Sequence, residues 1–456
     1  MNAKILGRAG AAALLVMTMA PGAWAETLSD AMISAYRNSH LLEQNRALLR
    51  TSDEDVAVAV SGLRPTLGIA ATGRAVTTAS ASTLFNNLYG QLGLQASMTV
   101  YDFGRTKAAI AAAKETVLAT RQALVNVEQQ VLLGAVTAYM NVRNAEETVV
   151  LNQGNVRVLN QELKAAQDRF DVGEITRTDV AQAEAALAAA RSQLTAARGQ
   201  LATAREAYKA AVGHYPGRLA APPRAPATAK SLTDAVAVAQ HNHPQILQAK
   251  HQVKAADLSV ARAKAGIRPT LSATAEYGTD SGGNKGGSAT LTLSQPLYAG
   301  GQISALYRKA VAAADQARAG LLQTGVSVTQ GVGNAWSQLQ VARASITAYN
   351  QQIRAAQTAY DGVKEEAKLG SRTTLDVLNA EQSLLNAKAS RITAGTNEYI
   401  AVYTLLSSMG LLTADHLKLG IPTYDPAAYY NAVKNAPATS VQGKRLDKLL
   451  KSIGKE

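Results

Sequence analysis

Hydrophobic and polar residues alternate with different periods along the chain, and the period identifies the element. From Gln91 to Val100 every second residue is apolar: Leu92, Leu94, Ala96, Met98 and Val100 share one parity, and Gln91, Gly93, Gln95, Ser97 and Thr99 the other. Leu67, Ile69 and Ala71 alternate with Thr66, Gly68 and Thr72. The same pattern returns at Leu271, Ala273, Ala275 and Tyr277, and at Ala289, Leu291 and Leu293. Period two with one apolar face predicts strands, over about 66–76, 89–101, 270–278 and 288–298. Elsewhere the spacing is helical. Val180, Ala183, Leu187, Ala190, Leu194, Ala197, Leu201, Ala204, Tyr208 and Ala211 step by three and four in turn. Leu378, Leu385, Ile392, Tyr399 and Leu406 step by seven. A 3.5-residue period is that of helices wound closely together. No proline interrupts Gly104–Gly173 or Gly301–Gly370, so the spacing predicts helices of roughly 100 Å at about 1.5 Å per residue.

These elements occur twice. Leu28–Ala31 recurs as Leu232–Ala235, and Leu63–Leu67 as Ile267–Leu271, at an offset of 204 residues. From Tyr101–Gly104, matched by Tyr298–Gly301, the offset is 197, and it holds through Gly173/Gly370, Asp179/Asp376 and Gly213/Gly410. The length change falls in the loops between the paired strands, 77–87 and 279–287, where loops tolerate it. A tandem repeat follows: a first copy over 26–220 with a helical hairpin at about 104–212, a Pro-rich linker at 221–230, and a second copy over 231–420 with a hairpin at about 301–409. Residues 421–456 read as a flexible tail with a basic end. Each hairpin turns through one motif. Val172 and Gly173 precede Thr176 and Asp179; Leu369 and Gly370 precede Thr373 and Asp376. Gly suits the left-handed residue after a helix, and Thr with an acid three residues on suits the start of the next.

The first 25 residues carry Lys4 and Arg8, an apolar stretch from Ala9 to Ala20, and Ala23-Trp24-Ala25. These are the parts of a secretory signal peptide. Beyond it no run of 18 apolar residues exists, so if the mature chain crosses a membrane, strands must do it. The alternation alone fits either surface hairpins on a soluble core or a transmembrane barrel with apolar residues towards lipid. Four strands do not close a barrel, and open sheet edges are not tolerated in hydrocarbon. The membrane reading therefore requires several chains to share one barrel.

Hydrophobic residues make up 47% of the chain but aromatic ones only 5%, which suits close-packed Ala-rich helices. With no Cys among 456 residues, disulfides, thiolate metal sites and a cysteine nucleophile are excluded. The net charge of +13 is scattered and mixed with acids, which argues against a nucleic-acid partner. His241, His243 and His251 lack the further ligands of a metal site and read as polar positions at helix starts. No phosphate loop, Gly-x-Ser-x-Gly or isolated acid pair suggests an enzyme, and no metal or cofactor is expected.

Signal peptide, tandem repeat, two strands followed by a long helical hairpin, and two Gly-x-x-Thr-x-x-Asp-Val turns together resemble the TolC family of outer-membrane factors. The resemblance implies a homotrimer in the outer membrane of a Gram-negative bacterium. It would be an α+β membrane protein with a 12-stranded β-barrel, four strands per chain, continued by a 12-helix periplasmic α-barrel. It implies a duct coupled through a periplasmic adaptor to an inner-membrane ATPase or pump, exporting proteins or small toxic molecules. By the same resemblance Asp376 belongs to a ring at the closed entrance, Asn379 stands where a second Asp is usual, and Arg372 matches a residue that holds the channel shut, while Ala367 replaces a Tyr of that latch. Val172, Gly173, Thr176, Asp179, Leu369, Gly370 and Thr373 would meet the adaptor, and Leu92, Leu94, Met98, Leu291 and Leu293 would face lipid. The competing class is a secreted coiled-coil filament or adhesin, which leaves the four matched amphipathic strands unexplained.

Overall fold

The computed structural model describes residues 25–76, 87–422 and 424–433, together with Lys448. The signal peptide up to residue 24, the loop at 77–86 and all of the basic end but Lys448 lie outside the described residues. The first repeat runs α1 (Leu28–Asn38), α2 (His40–Ser61), β1 (Thr66–Val76), β2 (Asn87–Tyr101), α3 (Arg105–Asp171) and α4 (Arg177–Val212). The second runs α5 (Leu232–Asn242), α6 (Pro244–Ala265), β3 (Thr270–Asp280), β4 (Lys285–Ser294), α7 (Gln302–Lys368) and α8 (Thr374–Ser408), and α9 (Pro426–Val433) follows.

The four strands form one antiparallel sheet in the order β1-β2-β3-β4. Ile69 pairs with Leu94, Leu94 with Tyr277, Ala273 with Leu291 and Leu271 with Leu293, so the apolar parities of all four strands lie on one face. The other face carries the row Gly68, Gln95, Glu276 and Ser288. β4 corrects the expected 288–298. It starts at Lys285 and stops at Ser294, before Pro296, which has no N–H to donate. Its early start follows from a tight turn. The Asp280 carboxylate accepts from the amides of Gly282 and Asn284, both at 2.9 Å, and the ladder continues to Thr279 and Lys285.

The strand-to-helix joints show how two sequences make one geometry. In the first repeat Phe103 and Gly104 both have positive φ, 51° and 91°. Asp102 makes this tenable by accepting from the Thr106 amide at 2.7 Å, at the start of α3. The second repeat has Ala299 in place of that acid, and Gly300 and Gly301 adopt φ of 59° and 84° without a cap.

α3 and α7, at 67 residues each, are about twice as long as α4 and α8. The shorter α1–α2 and α5–α6 pairs are not delimited by the sequence reading, which places helix starts only near His241, His243 and His251. α2 packs on α3, and α6 on both α3 and α7. Each pair breaks at a cap: the Ser39 hydroxyl accepts from Leu42 N, and His243 accepts at Nδ1 from Gln245 N ahead of Pro244. One core gathers Leu28 and Met32 of α1, Leu132, Val136 and Tyr139 of α3, Tyr208 of α4 and Leu406 of α8. A second gathers Ala235, Ile246, Val332, Leu339 and Leu405. Along α4 the burial of Ala183, Leu187, Ala190 and Ala197 follows the small-and-large alternation of the sequence.

Of the segment expected as a flexible tail from 421, the described residues 421–422 and 424–433 pack on the body, and Pro426–Val433 forms a helix. Ile421, Tyr424 and Tyr430 add to the apolar cluster of Tyr36, Leu42, Leu49 and Val56. The Arg46 guanidinium sits 5.2 Å from the Tyr36 ring centre and 5.3 Å from that of Tyr424, and Tyr429 donates to Glu54 at 2.8 Å. Among the described residues no helix is long and apolar enough to cross a membrane.

Candidate functional site

The free ends of the two hairpins are built alike. Gly173 has φ +78° and Gly370 +77°. In the first turn Gly173 N donates to Phe170 O and Glu174 N to Arg169 O, each at 2.9 Å; in the second Gly370 N donates to Ala367 O at 3.2 Å and Ser371 N to Glu366 O at 3.1 Å. This double closure satisfies the last carbonyls of α3 and α7 and requires the left-handed residue. The next helix then starts on Thr. The Thr176 amide and hydroxyl donate to Asp179 Oδ2 at 3.0 and 2.7 Å. Thr373 does the same to Asp376 at 3.0 and 2.8 Å, and its hydroxyl also accepts from Asp376 N at 3.2 Å. Hydrogen bonds from Thr373, first from its amide and then from its hydroxyl, hold the Asp376 carboxyl below its usual range. The Thr176 hydroxyl and then its amide do so for Asp179. Both acids are therefore charged at neutral pH while serving as caps.

Beside these caps each tip exposes an aliphatic residue. Val172 is 71% exposed and Leu369 85%. Asn379 lies one helical turn beyond Asp376 and is exposed. Arg372 donates to Glu366 at 2.9 Å, on its own hairpin. Ala367, by contrast, is buried, and its carbonyl accepts from Arg169 Nη2 at 3.3 Å across the two hairpins. Further up, Lys364 of α7 is paired with Glu162 of α3. Sequence reasoning missed both ties, because neither helix pairing nor its register is marked by a local motif. It also missed Glu381, which α8 buries near that pair.

At the other end, Leu92, Leu94, Met98, Leu291 and Leu293 all lie exposed on the apolar face of the sheet. Gln95 donates to Glu276 at 3.0 Å on the opposite face. Of the three histidines expected at helix starts only His243 is at one, capping α6; His241 lies in the last turn of α5, and His251, inside α6, meets Glu115 at 2.7 Å. Among the described residues no cluster of metal-ligating side chains occurs.

Comparison with known proteins agrees with this architecture. The family model described as outer membrane efflux protein matches residues 33–214 and 235–411. The chain is 39% identical over 435 residues to the outer membrane efflux protein BepC of Brucella suis, covering 93% of this chain and 94% of that one. It is 27% identical to the outer membrane protein TolC of Escherichia coli, covering 86% and 84%. The solved structure of CusC superposes with a TM-score of 0.77 at 19% identity, over 85% of this chain and 92% of that chain.

Proposed function

Because the chain belongs to the outer membrane efflux protein family, we propose that three copies of it close one 12-stranded barrel in the outer membrane and continue it as a 12-helix tunnel into the periplasm. The observation that carries the reading is the sheet. Among the described residues it is four strands wide, β1 pairs only with β2 and β4 only with β3, and one face is largely apolar and exposed. Backbone groups at such edges need partners in hydrocarbon. Joining β4 of one copy to β1 of the next supplies them, and three copies reach a closed barrel. The apolar face then meets lipid, and Gln95 and Glu276 face water in the lumen.

The helices extend the barrel to a tip. There Asp376 and Asn379 ring the entrance, and the bare Val172 and Leu369 offer apolar surface to a periplasmic adaptor. Through the adaptor the duct receives cargo from an inner-membrane ATPase or pump, either proteins or small toxic molecules. Detergent-purified protein added to planar bilayers tests the duct, and discrete, stable ion conductance is expected. Val172→Asp with Leu369→Asp should keep that conductance and lose co-purification of the adaptor. Absence of conductance from correctly assembled protein would overturn the channel.

A further inference from the structure

Glu381 interrupts the apolar stripe with which α8 packs into the molecule. Buried positions run Val377, Leu378, Glu381, Leu384 and Ala387, so an acid stands in a row of aliphatic residues. It is only 7% exposed, and its Oε2 has no hydrogen-bond partner. This burial is internal to one chain, and adding further copies cannot undo it. The repeat sharpens the point. Glu184 occupies the matched place on α4, at the same 197-residue offset, and is exposed. The two hairpins carry the same acid, and only the second buries it.

The groups around Glu381 come from three helices. α7 brings Tyr360 and Lys364, α3 brings Glu162 and Arg157, and Lys388 lies two turns along α8. α4 brings Leu187 and Ala190 to the neighbouring Leu378. Lys364 is already committed: it donates to Glu162, and to the Tyr360 hydroxyl at 3.3 Å. That pair ties α7 to α3, which belong to different hairpins. Burial pushes the Glu381 carboxyl up to about 7 and the Glu162 charge adds to this, while Lys364 and Lys388 oppose it.

We propose that Glu381 is a proton-operated lock on the seam between the two hairpins. Neutral, it stays in the apolar stripe and keeps the second hairpin packed on α3. Ionised, it needs a cation or water, and it competes with Glu162 for Lys364, the residue that ties the hairpins together. The sign follows from linkage. A buried carboxyl that holds its proton more tightly than an exposed one favours the packed seam fully below the ordinary value of 4.5, and that advantage fades as pH rises towards 7. The tips should therefore be held in acid and loosened at and above neutrality, with the packed-to-loosened ratio changing on the order of 10- to 30-fold between pH 5.5 and 8.

This inference rests on the trimeric channel proposed above. The chain has no Cys, so Ser371→Cys places a single spin label at each exposed second tip. Pulsed electron resonance on the detergent-purified trimer should give short, narrow tip-to-tip distances at pH 5.5 and longer, broader ones at pH 8. Glu381→Gln, which keeps the shape and removes the charge, should hold the acid distribution at both values. A Glu381→Gln trimer that still responds to pH as the parent does would overturn the lock, as would a parent trimer whose distances do not change. Should Glu381→Gln fail to assemble, Glu381→Leu, which continues the apolar stripe, takes its place and should likewise hold the acid distribution at both values. Failure of the parent to migrate as a trimer would instead strike the channel reading.

Discussion

Gly173 and Gly370 show what a single residue can fix from sequence alone. Their motif is local, and both adopt the positive φ that it implies. A Cβ at either would meet nothing within 4 Å in the chain. The cost of Gly173→Val or Gly370→Val is therefore conformational, about 1–2 kcal/mol, and falls on the turn alone. Trimers should survive in both variants while adaptor crosslinking falls, as crosslinking yield on intact cells can measure. Asp376 and Asn379 permit a second experiment. Asn379→Asp adds one charge per chain beyond the cap, so single-channel recordings should show stronger cation preference and block by divalent cations at lower concentration. An unchanged reversal potential and an unchanged block would remove this helix face from the constriction. Arg169, Lys364 and Glu381 were illegible by contrast. Arg169 and Ala367 are 198 residues apart and Lys364 and Glu162 are 202 apart; only the register between two hairpins brings them together. Nothing in the sequence around Glu381 marks it as different from Glu184.

Among the elements, the strands were legible because a one-sided sheet leaves its alternation in the sequence. Their ends were not. β4 begins among glycines that carry no hydropathy signal, and the Asp280 side chain turns the chain earlier than a flexible loop would. The short helices were hidden for another reason. α2 contains Thr51–Asp55, five polar residues in a row that break its apolar period, and it packs on α3 and α9. The face assignment can be checked on the strands directly. Leu94→Arg puts a charge on the face assigned to lipid, at a cost of about 2–4 kcal/mol if it lies near the midplane. Gln95→Arg puts it on the opposite face, which already carries Glu276. Heat-modifiable trimer on gels should fall sharply for the first and little for the second, and Leu291→Arg against Thr292→Arg should repeat the contrast. Equal assembly of all four variants would mean that the faces are misassigned.

At the scale of the whole molecule, the repeat is the organising fact. One chain supplies two hairpins and four strands, which leaves two sheet edges and one broad, largely apolar face without a partner among the described residues. The repeat was legible as paired motifs at fixed offsets, and the need for more copies followed from strand counting rather than from any single residue. The most direct test is the mass of the detergent-extracted mature protein by native mass spectrometry. Three chains in one detergent-dependent particle is the result expected. A stable single chain that remains folded in buffer without detergent would contradict the shared barrel.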